Sequence, residues 1–176
     1  KARYKTRTKK ATKTETANRQ RFAEAQRWLK PLLEFVRQGF KGYSPTVEGF
    51  IAAKSHLMRN AMDGLQIDPS LALVSYGDLP LAADIAVGKI PGGSLQFNWD
   101  PRAGDVAHPR DQVMLLAYDA DHETAFYTTT GQFRSTGEDI LQVGGKKGNT
   151  YHLYFAFTAF DRSRQSDSVY LGTVKF

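Results

Sequence analysis

The sequence predicts an α+β protein in which an N-terminal helical hairpin packs on or beside a C-terminal seven-stranded antiparallel β-sandwich. Three observations predict it. Apolar residues recur at three- and four-residue spacing as far as Ala61, the period switches to two after Asp68-Pro69, and turn-forming Gly, Asp and Asn punctuate everything downstream. With 176 residues, 41% of them hydrophobic and 12% aromatic, the chain is long enough and apolar enough to bury a real core. On these signals, residues 1–13 form a flexible basic leader, 14–68 the helical hairpin and 69–176 the sandwich.

The first helix is expected to begin near Thr14 or Thr16. Its apolar stripe is Phe22, Ala25, Leu29, Leu32, Leu33, Val36 and Phe40. Pro31 lies inside this pattern, where it removes a backbone donor and clashes with the preceding turn, so a kink or two abutting helices is predicted. Gly39 and Gly42 close the segment. The second helix is expected to start with Ser44 as N-cap, Pro45 at the first helical position and Glu48 near the positive end of the dipole. Val47, Phe50, Ile51, Leu57, Met58 and Ala61 make its buried stripe, and Asp63-Gly64 ends it.

The strands follow in order. Residues 71–76 make the first, ending in Gly77-Asp78-Leu79-Pro80. In 94–99 the large apolar residues Leu95, Phe97 and Trp99 alternate with polar ones, the pattern of a half-buried strand. Residues 112–119 are more continuously apolar, which places them centrally. A turn at Ala120-Asp121-His122 leads to 123–130, and 138–143 is a further short strand. After the turn cluster 144–149 comes 150–159, with Tyr151, Leu153, Phe155 and Phe157 on one face, and 168–176 finishes the sheet.

Residues 71–176 resemble a fibronectin type III or immunoglobulin-like sandwich. Trp99 falls where that family carries a core Trp on its second strand, and Thr150-Tyr151-His152-Leu153-Tyr154-Phe155-Ala156 is similar to its penultimate strand. The resemblance implies that Tyr151 is a tyrosine corner with its hydroxyl bonded back to the upstream turn. It also implies that Leu153 stands where antibody domains carry a disulfide cysteine; Trp99 and Phe155 are both expected to fill the sandwich core. From about Arg19 to Phe176 the chain also resembles an uncharacterised bacterial family of proteins of roughly 200 residues. Its pattern is a basic leader, a helical hairpin, a Gly-Asp-Leu-Pro motif like that at 77–80 and a terminal sandwich. That family has no assigned activity, and its members usually begin with a Gly-rich segment, so together with the start at Lys1 a trimmed N-terminus is expected.

Charge is concentrated at the front. Nine of the first 21 residues are basic (Lys1, Arg3, Lys5, Arg7, Lys9, Lys10, Lys13, Arg19 and Arg21) and Glu15 alone is acidic. This leaves 15 basic and 17 acidic residues for 22–176, so the net +6 is a leading segment of +8 on a body of −2. Such an arm suits nucleic acid or another polyanion, and equally a solvated leader. No apolar run approaches the roughly 18 residues needed to span a bilayer and no signal peptide is visible, so no membrane span is expected and the compartment stays open.

Chemistry-bearing motifs are weak. The absence of cysteine excludes disulfides, thiolate catalysis and Cys-based metal sites. His56, His108, His122 and His152 form no paired ligand motif, and His152 is expected to face outward in solvent. Asp119-Ala120-Asp121-His122-Glu123 lacks a calcium loop's glycine and closing Glu, so it is expected to be an Asx-type hairpin turn. Gly144-Gly145-Lys146-Lys147-Gly148-Asn149-Thr150 has its lysines before the last glycine and a strand after it, unlike a phosphate loop. Neither a Gly-x-Ser-x-Gly elbow nor a triad order is visible, and no catalytic residue, cofactor or metal site is expected. Tyr43, Tyr76, Tyr118, Phe126, Tyr127, Phe133 and Tyr154 offer an aromatic platform for sugars or bases, although most are expected in the core, with Tyr154 under the helices. The leading expectation is a non-catalytic interaction or structural module that presents a surface to another protein or an assembly. The alternatives are a nucleic-acid-binding protein using the arm of residues 1–21, and a carbohydrate-binding sandwich.

Overall fold

The computed structural model describes residues 12–176. An α-helical layer, a four-stranded sheet and a three-stranded sheet are stacked so that the four-stranded sheet lies in the middle.

The first helix, α1 (Lys13–Leu29), starts slightly before the expected position because Thr12 and Glu15 form a capping box. The Thr12 Oγ1 accepts from the Glu15 N–H at 3.2 Å, and the Glu15 carboxylate accepts from the Thr12 N–H at 2.8 Å. Pro31 has the predicted effect, since a 3₁₀ turn at Lys30–Leu32 separates α1 from α2 (Leu33–Gly39). Trp28 and Phe35 join the buried stripe, whereas Phe22 is exposed and carries the Lys54 ammonium 3.8 Å from its ring centre.

The second expected helix start is wrong by four residues. Helix α3 is Gly49–Asn60 with Glu48 as N-cap, and 44–47 are loop. The Ser44 hydroxyl accepts from the Thr46 N–H at 3.3 Å, a local turn that competes with capping. Arg37 holds Glu48 at 2.9 Å, and a Cβ at Gly49 would come within 2.8 Å of the Arg37 carbonyl oxygen. Close approach of α2 therefore fixes where α3 begins. Its buried face is Phe50, Ala52, Ala53, Lys54, Leu57 and Ala61, while Val47 and Ile51 are exposed.

After α3, a small hairpin of β1 (Met62–Asp63) and β2 (Gln66–Ile67) turns at Gly64. The strand expected at 71–76 is absent. Its alternation is that of an extended bridge, with Ala72 and Val74 buried, whose backbone is satisfied by the Ser168 hydroxyl and by scattered backbone groups rather than by a neighbouring strand. The Val74 N–H donates to Ser168 Oγ at 2.9 Å, the Tyr76 N–H to the Gly39 carbonyl at 3.0 Å, and the Ser75 hydroxyl to the Ser166 carbonyl at 2.7 Å. The strand that takes its place is β3 (Ala86–Ile90), an edge strand whose Gly88 and Lys89 hide it from a hydrophobic pattern.

The remaining strands lie close to expectation: β4 (Ser94–Asn98), β5 (Gln112–Asp119), β6 (Thr124–Thr128), β7 (Glu138–Gln142), β8 (Thr150–Thr158) and β9 (Val169–Lys175). They form an antiparallel sheet in the order β3-β4-β7 and another in the order β6-β5-β8-β9. Along β5, Val113, Leu115 and Ala117 face the three-stranded sheet while Met114, Leu116 and Tyr118 face the helices. On β8, Tyr151, Leu153, Phe155 and Phe157 point inward, and Tyr154 and Ala156 lie under the helical layer. Burial on both faces is why these two strands read as continuous apolar runs.

Trp99, at the end of β4, packs edge-on against Phe155 and Phe157, and its indole N–H donates to the Arg134 carbonyl at 2.8 Å. The Arg134 guanidinium is itself buried 3.8 Å over the Phe157 ring and donates to the Pro80 carbonyl at 2.6 Å. Its contact with Asp111, at 3.4 Å, is an ion pair rather than a formed hydrogen bond. The Tyr151 hydroxyl reaches back to the upstream turn only through the Asn149 side-chain amide, which donates to it at a long 3.5 Å, and the ring packs edge-on against Phe126 and Phe176.

Trp99→Ala and Phe155→Ala are each expected to lower stability by about 3–5 kcal/mol, read as a reduced midpoint in urea unfolding. A wild-type midpoint for either would contradict this core.

Candidate functional site

The residues singled out from sequence do not converge. Lys1, Arg3, Lys5, Arg7, Lys9 and Lys10 lie outside the described residues. Lys13 and Arg19 are exposed on α1, and Arg21 donates to the Met58 carbonyl at 2.8 Å, tying α1 to α3. Arg21 is thus part of the folded helical layer rather than of a free arm. Trp99, Tyr151, Leu153 and Phe155 are all core.

The other motifs resolve into local structure. At 119–123, Asp119 accepts from the His122 N–H at 3.1 Å and meets the His122 Nδ1 at 2.9 Å, the expected hairpin turn. Among the described residues no group of three His, Asp or Glu side chains is placed to hold a metal ion. Residues 144–149 form the turn between β7 and β8. His152 is not fully solvated as expected. It is half-buried, with Nδ1 3.0 Å from the Tyr170 hydroxyl, and burial lowers its pKa.

What the structure does bring together is a tray of aromatic rings and an adjoining polar cleft. Phe40 and Tyr43 come from the end of α2 and the loop after it, His56 from α3, and Tyr76 from the extended bridge. Tyr76 lies 4.9 Å from Tyr43, edge to face, and 6.1 Å from His56. Phe40 lies nearly parallel to it at 21° with a centroid separation of 6.2 Å. Phe40 is fully buried, and Tyr76 remains 41% exposed. Arg59 donates to the Tyr43 hydroxyl at 3.2 Å and closes the tray on the α3 side.

The cleft, of ≈ 370 Å³, is lined by Gly42, Tyr76, Gly77, Asp78 and, from the β8–β9 connection, Ser163, Arg164, Gln165 and Asp167. Arg164 holds Asp78 at 2.9 Å, and the Gly77 N–H donates to Asp167 Oδ1 at 3.0 Å. Its base is backbone against backbone: the Leu79 N–H donates to the Gln165 carbonyl at 3.0 Å, and a Cβ at Gly77 would fall 2.1 Å from that same oxygen. Only glycine allows the two segments to lie this close. The Gln165 side chain is buried, with Oε1 accepting from the Gly42 N–H at 3.3 Å and Nε2 lacking any partner. The one serine hydroxyl lining the cleft, that of Ser163, donates to Asp161 at 2.6 Å. An exposed ring beside planar polar groups suits non-covalent recognition.

Sequence reading picked out Tyr43 and Tyr76 as part of a broad aromatic set, and 77–80 as a family-like motif. It missed Arg164, Gln165 and Asp167. The available signal was the polar run Asp161-Arg162-Ser163-Arg164-Gln165-Ser166-Asp167 between two apolar strands.

The model of a family described as "Family of unknown function (DUF6266)" matches residues 1–172. No curated protein matches the chain. Among the described residues no helix is long and apolar enough to cross a membrane.

His56 provides a pH test of the tray. Burial, with a further contribution from the Arg59 charge and against the opposing pull of Asp167, holds its pKa below the ordinary 6.5. The unfolded chain therefore takes up this proton more readily than the native one. Its contribution to stability is complete above pH 6.5 and declines as pH falls below that value toward the lowered native pKa. Thermal melts across this window are expected to show a falling Tm, with a shallower decline in His56→Gln. An identical slope in the variant would place the titration elsewhere.

Proposed function

The chain belongs to this family of unknown function, and we propose that it is a non-catalytic binding module whose contact face is the aromatic tray and the cleft beside it. The observation that carries the reading is Tyr76, a large ring left exposed while Phe40 and Tyr43 fix it in place, at the mouth of a cleft walled by Asp78, Arg164 and Asp167. The buried charges have other work: Arg134 and Asp111 hold loops of the sandwich, and Lys54 donates to Gln26 at 2.8 Å within the helical layer. The strand orders β3-β4-β7 and β6-β5-β8-β9 support reading β3–β9 as a fibronectin type III or immunoglobulin-like sandwich, an architecture that serves as a scaffold for many kinds of binding site.

The reading is tested by placing a photo-crosslinking residue in the full chain at position 76 or, as a comparison, at Ile140 on the exposed face of β7, in the cells from which the protein comes. Adducts are expected from position 76. Adducts from position 140 and none from 76 would overturn the assignment of the face.

The density of basic residues at the front favours a second reading, a nucleic-acid contact through residues 1–21. Because Arg21 belongs to the helical layer, this reading rests on the basic residues before it. The full chain and a variant with Lys1, Arg3, Lys5, Arg7, Lys9 and Lys10 changed to Gln, which keeps the Thr12 capping box, separate the two readings. If the arm binds nucleic acid, fluorescence anisotropy with unrelated oligonucleotides gives binding that weakens steeply with salt and is lost in the variant. Equal binding by both proteins would overturn it.

A further inference from the structure

We infer that the cleft beside Tyr76 binds a neutral carbohydrate, with one sugar ring stacked on the exposed face of Tyr76 and its hydroxyls held by Asp78, Arg164, Gln165 and Asp167. The inference rests on the reading above that this is the binding face, and it adds the class of ligand.

Three features select that class. The first is the ring. Tyr76 is backed by the nearly parallel Phe40, so one side is fixed from within while the residue as a whole stays 41% exposed. A flat face of that kind complements the C–H face of a pyranose, which is apolar while its rim is polar.

The second is the polar set. Asp78 and Asp167 each spend one carboxylate oxygen inside the protein, on Arg164 and on the Gly77 N–H respectively, and keep the other. The Gln165 Nε2 is a buried donor without an acceptor, a costly state that a ligand oxygen relieves. Carboxylate, guanidinium and amide are planar groups that can bridge adjacent hydroxyls in pairs.

The third is charge and size. Two carboxylates stand against Arg164, with Arg59 on the adjoining tray, so neither an anion nor a cation is drawn in by a one-signed field. The volume of ≈ 370 Å³ lies at the small end of the range of about 300–1,000 Å³ for ligand sites, and the Gly77–Gln165 contact closes its base. That fits a single sugar unit or the end of a chain.

The test is a glycan array of neutral and acidic oligosaccharides probed with the full chain. It is followed by calorimetric titration with the best neutral glycan and with glucose, galactose, mannose and xylose oligomers. Binding to a neutral glycan with a Kd of about 1 mM or tighter is expected. It should weaken by about tenfold or more in Tyr76→Ala and, separately, in Asp78→Ala. Asp78 is highly exposed, so the second variant keeps the fold if the first does not. Ile140→Ser should bind as the unmodified chain does. Glycan binding undiminished in both cleft variants would overturn the inference, as would binding confined to acidic glycans. An empty array with crosslinked adducts still formed from position 76 would overturn the carbohydrate class alone. An empty array with no such adducts would overturn the binding face with it.

Discussion

The rest of the molecule depends on one constraint: the sheet β6-β5-β8-β9 is buried on both faces. Alternation along β5 and β8 assigns successive side chains to two cores, one shared with the helices and one with the three-stranded sheet. Shifting either strand by one residue would exchange the two sets. It would put Tyr118 and Tyr154, which fit beneath Trp28 and the helical layer, against Trp99 and Phe97. The helical layer is thus not an accessory to a finished sandwich, because it supplies the second cover that so apolar a sheet requires.

Polar groups locate the joints between layers. Trp28 meets Tyr118 edge-on at 5.0 Å, and Arg27 reaches Glu123 in the β5–β6 turn at 2.6 Å, fastening α1 to one end of the sheet. At the other end the extended bridge joins α2 to the β8–β9 connection through Ser75, Ser166 and Ser168. The tray and cleft form on this second joint, where side chains from α2, α3, the bridge and the β8–β9 connection are brought together by the packing of layers that are far apart in sequence.

Where burial wrote a period into the chain, the sequence was legible. The apolar stripe around Pro31, the alternation of Leu95, Phe97 and Trp99 and the continuous runs of β5 and β8 all report a face pressed against a core. Legibility failed where other physics decides. The start of α3 is set by close packing at Gly49 and by the Arg37–Glu48 pair, so the favourable caps at Ser44 and Pro45 lose. At 71–76 the chain alternates like a strand, but serine hydroxyls and the Gly39 carbonyl replace the ladder. The edge strand β3 carries Gly88 and Lys89 and has little to pack. Gln165 and Asp167 lie in a run whose polarity marks a loop but not a site, since a polar loop reads the same whether it faces bulk water or lines a cleft.

Gly77 and Pro80 bound a short wall that is pinned from both sides. On one side Gly77 and Leu79 bond to the β8–β9 connection, and on the other the buried Arg134 guanidinium holds the Pro80 carbonyl. A segment held in this way has surrendered its backbone freedom at folding. Its immobilisation therefore does not recur as an entropic cost when something is captured against it. The costly burial of Arg134, deep in the loops at one end of the sandwich, acquires a purpose at a distance. On the binding reading proposed above, it makes the wall of the cleft rigid before any partner arrives, so that a small contact area would retain more of its binding energy.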